Sequence, residues 1–323
     1  MGFGAKPHVG GCMTTNAYPI CLAPVYRDYL WGGEKIARKY GRDGARGRVA
    51  ESWEVADRAD GMSVVTNGAL RGRSLRELVE EGRLGVRGAF PLLVKILDAR
   101  EALSVQVHPH NQTAAFVRGE AKSEMWYVLE AEPGAFVYAG LQPGVGWEDL
   151  LEAAKRGRVD EALKKIEVKA SDAIYISGGG VHAIGAGCMM LEVQQNSNTT
   201  YRIYDWDRRD AHGQLRDLHW DLASKVVDVS YVGSKSLWRK MGEGHWSIVS
   251  SPDFQVERVD IRGVWEVERT SDSFQILFCL EGEGKLEIDG MEEALERGRT
   301  YLIPSCFGSG AISGNCQIIR VIL

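Results

Sequence analysis

A chain of 323 residues with a net charge of −5 has the length to bury a large core, and its scattered basic residues exclude nucleic acid as the main partner. Hydrophobic and charged fractions of 44% and 26% are those of a soluble globular protein, and no run approaches the ~20 apolar residues that span a membrane. Six cysteines, at 12, 21, 188, 279, 306 and 316, form no CxxC pair, so they read as reduced, mostly buried thiols of a cytoplasmic protein.

In chain order, residues 1–16 are Gly-rich and weakly patterned and read as a loose leader without the apolar stretch of a signal peptide. Short helices are expected over Ile36 to Tyr40 and Ser74 to Glu81, the second opening with Ser74-Leu-Arg-Glu77, a capping-box pattern. Leu92 to Leu97 and Leu103 to His108 are rich in apolar and β-branched residues and read as strands. Met125 to Leu129 and Ala135 to Tyr138 do so too, about a turn at Glu132-Pro-Gly134. The period then lengthens. Trp147 to Lys155 and Val159 to Ile166 carry helical spacing joined at Gly157, so a helical hairpin at about 145–167 is expected to interrupt the β-region. Strands resume at Ala173 to Ile176 and Met189 to Gln194, and the polar, Asp/Arg-rich stretch from Asp205 to Gly242 reads as a surface connection.

A second β-region follows, with strands over Phe274 to Leu280, Lys285 to Ile288, Thr300 to Ile303 and Gln317 to Ile322. Turns are expected at Glu281-Gly-Glu-Gly284 and Asp289-Gly290. Many short strands at regular spacing predict a mainly β protein of two jelly-roll barrels with a small α-helical insertion. The expected division is a leader (1–16), a catalytic domain (17–240) and a second domain (241–323). The second has Cys306, not His, at its corresponding turn and reads as metal-free and structural.

Gln106 and His108 stand two apart on a strand, which points both side chains to one face, and Pro109 ends that strand. Glu124 enters another strand, and His182 follows the turn Gly178-Gly-Gly180. Imidazole, carboxylate and amide oxygen together suit Zn²⁺, or Mn²⁺ or Fe²⁺ where availability sets occupancy. One carboxylate among neutral ligands leaves such a site positive, which suits the carbonyl and hydroxyl oxygens of a sugar. Spacing alone also allows the plain reading, in which each is a hydrogen-bonded strand residue. Glu192 alternates inward on its strand, where it would orient a sugar hydroxyl or a ligand.

Val105-Gln-Val-His-Pro109, Lys122-Ser-Glu-Met-Trp-Tyr-Val-Leu129, Val181-His-Ala-Ile-Gly185 and the stretch from Gln194 to Arg208 occur in an order that resembles the type I mannose-6-phosphate isomerases in their short bacterial form. Tyr29-Leu-Trp-Gly-Gly33, Glu51-Ser-Trp-Glu54 and Val94-Lys-Ile-Leu97 fit the same family, so the likeness runs from about residue 18 to the C-terminus. The resemblance implies a cupin fold, one zinc ion per chain, and interconversion of mannose 6-phosphate and fructose 6-phosphate through an enediol(ate). It implies that Gln106, His108, Glu124 and His182 hold the zinc, and that Lys122 and Arg202 line the catalytic pocket with Lys95 near the substrate. Lys122 is the better proton carrier, because a guanidinium is a poor base, and Arg202 is left to stabilise charge.

A hexose phosphate is thus the expected partner. No GxxxxGK[ST] loop exists, so its phosphate needs arginines or lysines at the rim, for which Arg208 and Arg209 are candidates. Alternatives are isomerisation of another phosphorylated aldose and a sugar-phosphate-binding cupin without turnover; Gln106 and the Lys-x-Glu motif argue against an oxygenase. Two departures from the family pattern stand out. Ser177 and Gly180 replace a Pro and a polar residue before the metal His, and the resulting Gly178-Gly-Gly180 run predicts a flexible turn. His110 stands where an acidic residue is common, and Pro109 is expected to turn it away from the metal.

Overall fold

The computed structural model describes residues 17–323 apart from 43, 44, 46, 271 and 272; the expected leader over 1–16 lies outside the described residues. The strand Leu92–Ala99 reveals the layering, because all eight of its residues are buried. A strand with one wet face alternates, whereas one covered on both faces is apolar throughout. Leu92–Ala99 belongs to a six-stranded sheet ordered Ala173–Ile176, Glu124–Ala131, Cys188–Gln195, Leu92–Ala99, Glu51–Val55, Val25–Arg27.

One face of this sheet, through Leu97, Trp126, Val128 and Met190, packs on Val137, Ala139 and Ile184. These three belong to a five-stranded sheet ordered Leu163–Glu167, Phe136–Leu141, His182–Ile184, Val105–Val107, Tyr201–Tyr204. The opposite face, through Val94, Ile96, Met125 and Tyr127, packs on Ile276, Phe278 and Val321 of a nine-stranded sheet. Helices Trp147–Lys155 and Trp220–Val226 cover the outside of the five-stranded sheet, burying Leu150, Ala154, Ala223 and Val226 against Val105, Leu141 and Ile203. All the named strand pairs are antiparallel.

The chain is therefore mainly β, as expected, but the strands form open sheets stacked face to face, and no closed barrel is found among the described residues. The nine-stranded sheet is built chiefly from the C-terminal strands, yet Ile20–Ala23 and Val64–Val65 complete it, with Ile20 opposite Leu302 and Leu22 opposite Val65. No helix among the described residues is long and apolar enough to cross a membrane.

Several local expectations hold. Ser74 caps helix Leu75–Glu80 with Glu77 in a capping box, and Asp289-Gly290 turns between Gln275–Ile288 and Met291–Glu296. Others are corrected. The second half of the expected helical hairpin is a short 3₁₀ turn, Val159–Glu161, followed by the strand Leu163–Glu167. Leu163 and Ile166 pair with Leu141 and Val137, so the open edge of Phe136–Leu141 overrides a weak helical pattern. Glu281-Gly-Glu-Gly284 is not a turn but the interior of one long strand, Gln275–Ile288. There Gly282, at φ +79°, and Gly284 let the neighbouring strand approach: a Cβ on either would meet the carbonyl of Asn315 or Ser313.

The connection after Asp205 carries the unexpected helix Trp220–Val226, and His110 caps another, Asn111–Val117. Cys21, Cys188, Cys279 and Cys316 are free and buried in the apolar clusters. Cys306, half-buried and outside them, is disulfide-bonded, which corrects the reading of all six as reduced thiols.

Candidate metal centre and substrate cleft

Strand register brings the expected ligands together. In the five-stranded sheet Gln106 lies between His182 on one side and Arg202 on the other, so three strands present these residues in one row. In the facing sheet Glu124 lies opposite Gln194, and two positions further on Trp126, Glu192 and Lys95 form a second row. His108 follows Gln106 by two and shares its face.

His108, Glu124 and His182 are each 1% exposed or less, and their ligand atoms lie within 4.8 Å of one another. His108 Nε2 stands 3.4 Å from Glu124 Oε2, and His182 Nε2 stands 3.3 Å from Glu124 Oε1. Burial, aided by Lys122, drives the His108 pKa down to about 3, and burial also lowers that of His182, so both rings are uncharged at neutral pH. The tautomers follow from their partners. His182 Nδ1 lies 2.9 Å from the Gly180 carbonyl, which can only accept, so the proton is on Nδ1 and Nε2 presents a lone pair. Lys122 Nζ, which can only donate, lies 3.1 Å from His108 Nε2, so that nitrogen presents a lone pair as well.

Two imidazole lone pairs therefore face one carboxylate. Burial alone would raise the Glu124 pKa, but Lys122 and the two histidines hold it well below the usual carboxylate range. With uncharged rings, Lys122 is the cation responsible at neutral pH. Its Nζ lies 2.9 Å from Glu124 Oε2, yet neither Glu124 oxygen accepts a hydrogen bond of proper angle. A fully buried carboxylate without hydrogen bonds, opposed to two imidazole lone pairs, is repulsive on its own and fits a divalent cation. Gln106 fits less directly. Its Nε2 lies 3.3 Å from His182 Nε2 while its Oε1 accepts from Ser104 Oγ, so only the reversed carboxamide would offer an oxygen to the ion.

Gln106 and Lys122 also line a cleft of about 260 Å³, which Lys95, Glu192 and Arg202 share. The four expected metal ligands and Lys122, Arg202, Lys95 and Glu192 are thus at the cluster or in the cleft beside it. Lys95 Nζ lies 3.2 Å from Glu192 and 3.6 Å from Glu51; burial disfavours its charge, but Glu51, Glu192 and Glu124 outweigh this and raise its pKa. Burial raises the Glu192 pKa against the pull of Lys95, and its Oε1 accepts from Trp126 Nε1 at 3.1 Å. Arg202 donates from Nη1 to the Asp217 carbonyl, while its buried Nε has no partner. Burial and then Arg216 lower its pKa.

Sequence reasoning missed Glu51 and Arg216, which also line the cleft. Glu51 stands in a motif already singled out, Glu51-Ser-Trp-Glu54, and that was the available signal. Arg216 had none. It is held by Asp205 at 2.8 and 2.9 Å and lines the cleft, whereas Arg208 pairs with the same Asp205 and Arg209 donates to Gly213, neither lining it. His110 Nδ1 accepts from the Gln112 amide as a helix cap, in keeping with its being turned away.

Facing antiparallel sheets around a buried His/Glu/His cluster, with a polar cleft alongside, define a cupin-class protein with a candidate metal centre. Family models describe residues 20–139 as the catalytic domain of type I phosphomannose isomerase and residues 246–323 as the cupin domain of mannose-6-phosphate isomerase. A mannose-6-phosphate isomerase from Streptococcus mutans is 36% identical over 94% of this chain and 98% of its own length. The chain belongs to the type I mannose-6-phosphate isomerase family.

The crystal structure of the Bacillus subtilis mannose 6-phosphate isomerase superposes with a TM-score of 0.88 at 31% identity, covering 95% of this chain and all of that one. A more distant mannose 6-phosphate isomerase, described as bound with zinc and yttrium, shares the fold at TM-score 0.74 and 19% identity, over 94% of this chain and 98% of its own.

Proposed function

We propose that this chain interconverts mannose 6-phosphate and fructose 6-phosphate, with one zinc ion held by His108, Glu124, His182 and, with its carboxamide reversed, Gln106. The observation that carries this reading is the Glu124 carboxylate, buried without hydrogen bonds before two imidazole lone pairs at the edge of a cleft lined by Lys122 and Arg202. The family and the named relatives support the substrate. When bound, the ion supplies Lewis-acid polarisation of the sugar carbonyl and stabilises developing negative charge.

The protein's own groups do the rest. Once Lys122 has released its own proton to solvent, its free amine takes the proton from C2 of the open-chain aldose and returns it to C1, while the 2-hydroxyl proton passes to the carbonyl oxygen, so the enediol(ate) collapses to the ketose. Arg202 stays protonated and offsets the negative charge of the enediolate. Lys95 and Glu192, bonded to each other beside the cleft, orient sugar hydroxyls. We assign this work to residues 17–240 and read 241–323 as a metal-free second domain.

The test is bound-metal content followed by fructose 6-phosphate formation from mannose 6-phosphate, before and after chelation and zinc return. Activity that falls on chelation and recovers with zinc is expected. Stoichiometric metal with no turnover of any hexose phosphate would overturn catalysis and leave a sugar-phosphate-binding protein; turnover of a different phosphorylated aldose alone would reassign the substrate.

A further inference from the structure

We propose that Tyr231 is a positioning residue for His182, acting through the Gly178–Gly180 turn; the inference rests on reading His182 as a metal ligand. The run of three glycines predicts a loose turn, but its surroundings leave little room. A Cβ on Gly178 would lie 2.6 Å from the His110 Cα and 2.7 Å from the Pro109 carbonyl oxygen. One on Gly180 would lie 2.6 Å from Tyr231 Cδ1 and 2.8 Å from Cε1, so the phenol ring rests directly on the Gly180 backbone. Gly179 has φ +91°, a conformation glycine supplies without strain. These glycines serve close packing.

That packing bears on the ligand because the Gly180 carbonyl accepts from His182 Nδ1 and so sets both the tautomer and the ring orientation. The same turn holds the other histidine: the Gly179 amide donates to the His108 carbonyl at 2.8 Å. A strap from the connection after the five-stranded sheet closes over the turn. The Asp228 amide donates to the Gly179 carbonyl at 2.8 Å, and the Gly233 amide donates to Ala139 at 3.2 Å. Between these two anchors, the Tyr231 hydroxyl donates to the Tyr175 carbonyl at 2.7 Å. Tyr231 is thus tied down at its hydroxyl and packs against Gly180, the residue whose carbonyl orients His182.

The test uses Zn²⁺ as the probe, in competition with a chromophoric chelator, on Tyr231→Ala, Gly180→Ala and the double variant. Each single change is expected to weaken zinc binding about 10- to 100-fold, the scale of losing an outer support of a ligand. The double variant should recover part of the loss, because the added methyl then occupies space the ring has left. Selective ¹⁵N-histidine NMR of the zinc-free protein should show His182 leaving the pure Nδ1–H form in Tyr231→Ala but keeping it in Tyr231→Phe, which retains the ring.

Unchanged zinc affinity or an unchanged tautomer in Tyr231→Ala, or strictly additive losses in the double variant, would overturn the proposal. A merely structural tyrosine would lower the melting temperature without moving the tautomer. If Tyr231→Ala fails to fold, Gly180→Ala, one methyl larger than the native residue, decides by the same two readouts. Zinc retained by His182→Ala would instead overturn the underlying assignment of the ligand, an outcome distinct from the failure of Tyr231.

Discussion

Two buried polar clusters, one on the nine-stranded sheet and one between the five- and six-stranded sheets, are completed in opposite ways. On the nine-stranded sheet, Arg320 donates from Nε to Gln275 at 2.8 Å, from Nη1 to Glu257 at 3.1 Å and from Nη2 to the Glu268 carbonyl at 3.1 Å. His245 closes the group 3.0 Å from Glu257. In the facing five- and six-stranded sheets, Glu124 is more deeply buried and accepts no hydrogen bond at all. A fully hydrogen-bonded buried charge network secures its surroundings, whereas a carboxylate that has the Lys122 ion pair but no hydrogen bond is costly to the fold and is held there by the rigid strands around it. The contrast separates a cluster that serves stability from the proposed metal centre.

That contrast can be broken by experiment. His182→Ala should abolish bound metal and cut turnover of mannose 6-phosphate by about 1,000-fold or more, while the zinc-free fold melts near its usual temperature; metal analysis and calorimetry measure both, and retained activity would refute the site. Arg320→Ala should do the reverse. Removing the guanidinium leaves buried Glu257 with His245 alone and is expected to cost about 3–5 kcal/mol in urea unfolding, with metal content per folded molecule unchanged. Loss of metal in this variant would show that the two clusters are coupled.

Lys122→Met sharpens the division within the site, with kcat lowered about 100- to 1,000-fold and zinc retained, since the lysine contacts the proposed ligand Glu124 but is not among the proposed ligands. An unchanged kcat would remove Lys122 as the proton carrier. Ser74→Ala touches neither cluster. It removes the cap of Leu75–Glu80 and should cost about 1 kcal/mol with no change in kcat/KM.

How much of this was readable beforehand depends on whether the relevant contact is local. Gln106 and His108 share a face because a strand has a period of two, and Ser74 with Glu77 announces a helix start within four residues. The ordered motifs pointed to Glu124 and His182 as the remaining proposed ligands, and they named the family. Val159 to Ile166 misled because its helical spacing is local, whereas its fate is set by the unpaired edge of Phe136–Leu141. Arg216 and Tyr231 gave no signal, since each matters only through residues far away in the chain: Tyr231 through Gly180, and Arg216 through the cleft it shares with Lys95. Gly178–Gly180 misled in another way. Glycine reads as freedom when its neighbours are unknown and as close packing once they are seen.

The pairing of Ile20 with Leu302 has a consequence for how the chain is made. A ribosome delivers Ile20–Ala23 long before Thr300–Ile303 exists, so the nine-stranded sheet must wait for nearly complete synthesis before its edge can close. A gene cut near residue 240 would separate those partners, leaving in one product an early strand without its neighbour and in the other a sheet missing its last two strands. Exposed edges of that kind invite association with other chains, so co-expressed halves should aggregate singly and recover solubility together.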